Sequence, residues 1–142
     1  MKILAATDGS KPALHAVKFA LELLRGQAAA DSSITLISVH DDAGLRLARQ
    51  FVGKEAVADY LRELSDKELK PARKLLDAAQ VRHDMVVRTG HVAREIVDCA
   101  KAGRFDMIVL GAKGRNGLVD LLLGSVAQRV LAMAGCPVLL VK

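Results

Sequence analysis

Aromatic residues are nearly missing from this chain, which has no Trp, one Tyr and three Phe among 142 residues. Without them there is no platform on which nucleic-acid bases could stack. A core has to be built instead from aliphatic Leu, Val and Ala, within an apolar fraction of 51%. Long apolar runs are absent too: none approaches the ~18 residues a membrane span needs. The opening MKILAATDGS reaches polar residues too soon for the apolar centre of a secretory signal, so a cytosolic protein is expected. Cysteine is scarce. Cys99 and Cys136 have no CxxC spacing and read as reduced, small apolar residues. No basic block, internal repeat, linker or low-complexity tract occurs. The formal charge of +5 is spread along the predicted helices, which argues for solvation and a local phosphate field rather than nucleic-acid binding. The length fits one domain, 1–142, with a single good core.

What is present is an alternation of short apolar strands and amphipathic helices. Lys2–Thr7 (KILAAT) reads as a strand ending at Asp8-Gly9-Ser10. A helix follows over Lys11–Arg25, with Ser10 as N-cap, Pro12 in its first turn and Gly26 as its stop. Ser33–Val39 is a second strand, with His40-Asp41-Asp42 at its carboxyl end. The segment from Ala43 to Gly53 reads either as a short helix or as a loop. From Lys54 to Gln80 the spacing is helical, but Pro71 clashes inside a continuous helix at about 3 kcal/mol. Ser65-x-x-Glu68 resembles a capping box, which predicts two helical pieces or one kinked helix. Met85–Arg88 with its flanks is a third strand, and His91–Lys101 a helix whose inner face is Val92, Ala93, Ile96, Val97 and Ala100. Asp106–Leu110 is a fourth strand. Val126–Gly135 is a helix with Val126, Val130, Leu131 and Ala134 on one stripe, and Cys136–Val141 a fifth strand. Such alternation implies an α/β parallel sheet covered on both faces.

Between the fourth strand and the last helix lies GAKGRNGLVDLLLGS, Gly111 to Ser125. A glycine-rich βα loop is where open α/β sheets hold phosphates, with backbone N–H groups and the helix N-terminus facing the anion. Gly111 and Gly114 let backbone approach a ligand, Ser125 offers a hydroxyl, and Lys113 and Arg115 add charge. The spacing is neither a Walker A loop nor a dinucleotide Gly-x-Gly-x-x-Gly.

The spacing Gly-x2-Gly-x9-Gly-Ser at Gly111, Gly114, Gly124 and Ser125 resembles the ATP-binding signature of the universal stress protein family. Asp8-Gly9-Ser10, Gly90-His91-Val92 and the closing CPVLLVK resemble it too, so the likeness spans nearly the whole chain. It implies a five-stranded parallel sheet in the order 3-2-1-4-5, a Rossmann-like fold of the adenine nucleotide alpha hydrolase type. Strands one and four are then neighbours, and their shared crevice is a topological switch point. The resemblance places Ala6 and Thr7 against adenine, and Asp8 at the ribose or an accompanying Mg²⁺. It places the backbone of Val39 at the adenine edge, and Gly111, Gly114, Gly124, Ser125 and Val126 at the phosphates of ATP. It further implies a homodimer through the edge strand Cys136–Val141.

The histidines share no zinc-ligand spacing. His40 and His91 fall near the expected crevice and read as solvated loop residues. No general base or committed nucleophile accompanies the cradle, and nothing places Asp120 near a terminal phosphate. The leading reading is an ATP-binding stress regulator rather than an enzyme of rapid turnover. A slow ATP hydrolase or autokinase is one alternative, and a nucleotide-free interaction module of the same fold is the other.

Overall fold

The computed structural model describes residues 1–27, 30–113 and 122–142. Five strands form one parallel sheet: β1 (Lys2–Ala6), β2 (Ser33–Asp41), β3 (His83–Gly90), β4 (Met107–Gly111) and β5 (Val138–Val141). Their spatial order is β3-β2-β1-β4-β5, as the family resemblance implies. β1 lies at the centre, with Ala5 opposite Leu36 of β2 on one side and Val109 of β4 on the other.

Alternation along β1 feeds two cores. Ile3 and Ala5 point into a cluster with Val17, Leu21 and Leu24 of α1 (Lys11–Arg25) and with Leu69, Ala72 and Leu76 of α3 (Lys54–Ala78). Leu4 points to the opposite face, among Ala93, Ile96 and Ala100 of α4 (Val92–Ala102) and Ala127 and Val130 of α5 (Ser125–Met133). A strand buried on both faces has no polar side to alternate with, which is why KILAA reads as one apolar run.

α1 follows its sequence closely. The Ser10 hydroxyl accepts from Ala13 N at 3.3 Å, Pro12 sits in the first turn, and Gly26 closes the helix. The long helical stretch does not break at Ser65. α3 is one helix with Pro71 inside it, and the boundary lies at Gly53, whose φ of +86° ends α2 (Asp42–Val52) and starts α3. Leu69 and Leu76 are buried on either side of the proline. Each buried Leu contributes about 1.5–3 kcal/mol, so together they offset the proline's penalty. Ser65 and Glu68 are not a capping box. The hydroxyl of Ser65 lies 2.8 Å from His40 Nε2, and the hydroxyl of Ser38 donates to Glu68 Oε2 at 3.1 Å, so both residues tie α3 to β2.

Three further expectations change. β2 continues through His40 to Asp41, and β5 starts at Val138 rather than Cys136. Pro137 stands just before β5, its carbonyl accepting from Ile108 N at 3.0 Å. Leu131 is 52% exposed, and the inner side of α5 is Ala127 and Val130, with Val126 and Ala134 packed against the same core. The segment 43–53 is helical up to Val52 as α2, which has no buried residue and stops at Gly53. No helix among the described residues is long and apolar enough to cross a membrane.

Candidate functional site

β1 and β4 are adjacent, yet the chain leaves β1 towards β2 on one side and reaches β4 by crossing over. Loops therefore diverge at their carboxyl ends and leave a crevice. Ala6, Thr7 and Asp8 line it from the end of β1, and Ile37 and Val39 from β2. Leu110, Gly111 and Lys113 line it from β4, with Val92 and Ile96 of α4 and Val126 and Ala127 of α5 closing the apolar wall. Its volume is about 110 Å³. That is below the ~300–1,000 Å³ of a whole small-molecule site, so the enclosed part takes only a flat ring-sized group.

The β1 turn is locked residue by residue. Thr7 is buried, its N–H donates to Ile37 O at 2.9 Å, and its hydroxyl accepts from Gly9 N at 3.2 Å. Asp8 Oδ1 accepts from Ser10 N at 2.9 Å, and Ser10 then caps α1. Gly9 has φ +79°, and a Cβ there would stand 2.9 Å from Glu68 Cα. Both conformation and space demand glycine at that position.

Gly111 is tightly placed for a different reason. A Cβ on it would lie 3.1 Å from Lys113 O and 3.2 Å from Pro12 O, so the β4 exit passes against the backbone of α1. The ends of the following loop are joined: Gly124 N donates to Ala112 O at 2.8 Å, and Ala112 N to Val141 O at 2.8 Å. Gly124 is the N-cap of α5, and no side chain caps that helix. Ser125 is therefore not the cap. It is the exposed first helical residue, and neither it nor Gly124 lines the enclosed crevice, whereas Val126 does. Gly114, Arg115 and Asp120 lie outside the described residues.

The two histidines part company. His40 is a buried residue bonded to Ser65 on the α3 side of the sheet, not a solvated loop residue. Neighbouring side chains on a strand face opposite ways, so Val39 faces the crevice while His40 cannot. His91 is exposed at the start of α4, and Arg129 Nη1 is 3.0 Å from its Nε2. No group of three or more His, Cys, Asp or Glu able to hold a metal occurs among the described residues. Cys99 is buried, and burial pushes its thiol above the usual range. Neither Cys99 nor Cys136 is in a disulfide.

Sequence reasoning missed the apolar walls as part of the crevice. Ile37, Ala13 and Ala127 gave no signal beyond core spacing, because a residue at the mouth of a core looks like one inside it.

A five-stranded parallel sheet with this order and a crevice at its switch point belongs to the adenine nucleotide alpha hydrolase-like class. The sequence pattern of the Universal stress protein family matches residues 1–142, and the chain belongs to that family. Universal stress protein MJ0531 of Methanocaldococcus jannaschii is 36% identical over 141 residues, covering 99% of this chain and 81% of that protein. The solved structure of MJ0577 from the same organism superposes with a TM-score of 0.85 at 27% identity, covering 99% of this chain and 94% of that one. A universal stress protein solved in complex with cAMP has a TM-score of 0.63 at 23% identity, covering 100% and 97% of the two chains; that likeness is one of fold.

Proposed function

We propose that this protein is an ATP-binding stress regulator of the cytosol whose ligand sits in the β1–β4 crevice. The observation that carries the reading is the convergence of two separate glycine-dependent turns there. Thr7-Asp8-Gly9 arrives from β1, and Gly111, with the loop pinned by Gly124 to Ala112, arrives from β4. A universal stress protein of the same fold was solved in complex with cAMP, a purine nucleotide. Ile37, Val39 and Val92 with Ala6 and Thr7 would flank the base in the enclosed slot. Asp8 would accept from ribose hydroxyls or hold Mg²⁺. One carboxylate suffices for the metal, since Mg²⁺ usually takes one or two carboxylates plus phosphate oxygens and water. Backbone N–H groups of Ser125 and Val126 at the uncapped start of α5 would face the phosphates, with Gly111, Gly114 and Gly124 giving the backbone room to approach them. Isothermal titration with Mg-ATP should show saturable binding, and Gly124→Asp should weaken it by placing bulk and negative charge among the phosphates. Absence of binding by the native chain up to millimolar ATP overturns the reading.

Assembly as a homodimer through β5 belongs to the same proposal. β5 ends the sheet, its residues Leu139 and Leu140 are only half-buried, and no charge interrupts Val138–Val141. An apolar edge offers unpaired backbone groups that a two-fold related copy can satisfy. Leu139→Lys would then put a charge in the interface, and light scattering should report a monomer in place of the native dimer. A native monomer at micromolar concentration defeats this part.

A further inference from the structure

Among the described residues, a second groove is roomier than the crevice. A groove of about 630 Å³ lies at the other end of the same layer, between α4, the α4–β4 turn and the α5–β5 turn. Its size falls within the ~300–1,000 Å³ of small-molecule sites. Val97, Phe105, Ile108 and Met133 give it an apolar lining. Arg94, Lys101 and Arg104 stand around it, against Asp98 alone among the lining carboxylates. The carboxyl ends of α4 and α5 also reach the groove and each brings roughly half a negative charge, which leaves the rim about one charge positive. The ring of Phe105 is held in place: it packs against Gly103, where a side chain would collide with it, and Lys2 Nζ sits 5.0 Å from its centroid while donating to Gly103 O at 2.6 Å. Of the acids next in sequence to the lining, Asp106 accepts from Lys2 N at 2.7 Å and Glu95 pairs with Arg88 at 3.4 Å.

We propose that this groove is a second ligand site, for a small amphipathic anion with an aliphatic tail and a carboxylate-class head. The tail covers Val97 and Met133 against Phe105, above the fully buried Ile108, and the head meets Lys101, Arg94 or Arg104 at the rim. Neither glycine turn of the crevice takes part, so the proposal stands or falls separately from the nucleotide reading.

The probe is decanoate, titrated calorimetrically into the full chain without nucleotide. Saturable binding at one site is expected, with decyltrimethylammonium, which has the same tail and the opposite charge, binding far more weakly. The double variant Arg94→Glu/Lys101→Glu reverses two exposed rim charges and should weaken decanoate binding about tenfold, while the thermal melt stays near that of the native protein. A second readout does not depend on any variant folding. Cys136 lines the groove and is partly accessible, whereas Cys99 is buried and burial pushes its thiol up, so alkylation mapped by mass spectrometry should report Cys136. Saturating decanoate should slow that alkylation, and inorganic phosphate should not. Equal binding of the cationic amphiphile, unchanged affinity in a folded double variant, or alkylation of Cys136 unaffected by decanoate would each overturn the site.

Discussion

α2 and α4 are both eleven-residue helices with an apolar and a charged side, and the fold treats them in opposite ways. α4 buries Ala93, Ile96, Cys99 and Ala100 against the sheet and α5. α2 buries nothing: Phe51 is 81% exposed, and Leu47 and Val52 stand largely in solvent. The reason lies in what precedes each helix. α4 returns from β3 across the sheet to β4, so its apolar side has strands beneath it. α2 leaves β2 at Asp41, whose side chain accepts from Ala43 N at 2.9 Å, and is turned into α3 at Gly53 before it can cross any strand. An amphipathic pattern therefore specifies a helix; only the connection specifies a surface for it to cover.

The difference can be sharpened by mutation at equivalent places. Ile96→Ala removes a buried side chain from α4 and should cost about 2–5 kcal/mol, read as a lower denaturation midpoint in urea with the slope unchanged. Phe51→Ser removes a larger side chain from α2 and should change stability by no more than about 0.5 kcal/mol. If the two variants lost equal stability, α2 would have to be covered in solution, and the contrast between the helices would fail.

The same logic explains how much of the site was legible. Asp8-Gly9-Ser10 could be read because its demands are local, a turn that needs φ above zero and a cap for the next helix, whereas Gly111 could be read from its place at a strand exit but its tight approach to Pro12 could not. Ser65-x-x-Glu68 misled for the complementary reason. Its spacing suits a cap, but its partners, Ser38 and His40, are about thirty residues away in the chain and invisible to any local pattern. His40 was likewise misplaced, because one more residue of β2 turns a loop histidine into a buried one on the far face. Leu131 fits the helical stripe of α5 on paper, yet the sheet beneath that helix is narrow there, β5 being its last strand.

By itself, the sequence determined the alternation of strands and helices, the cap and stop of α1, the parallel class of the sheet and the two glycine turns. Each of these depends on backbone conformation and on burial period within one segment, which neighbours in sequence control. Only the tertiary structure decided that α3 runs unbroken through Pro71, that β2 and α3 share a buried polar pairing, and that α2 stays uncovered. It alone decided that the roomier cavity lies at the amino ends of the strands. Those outcomes depend on which segments meet across the sheet, where burial of two leucines outweighs a proline and where a short connection denies a helix its floor.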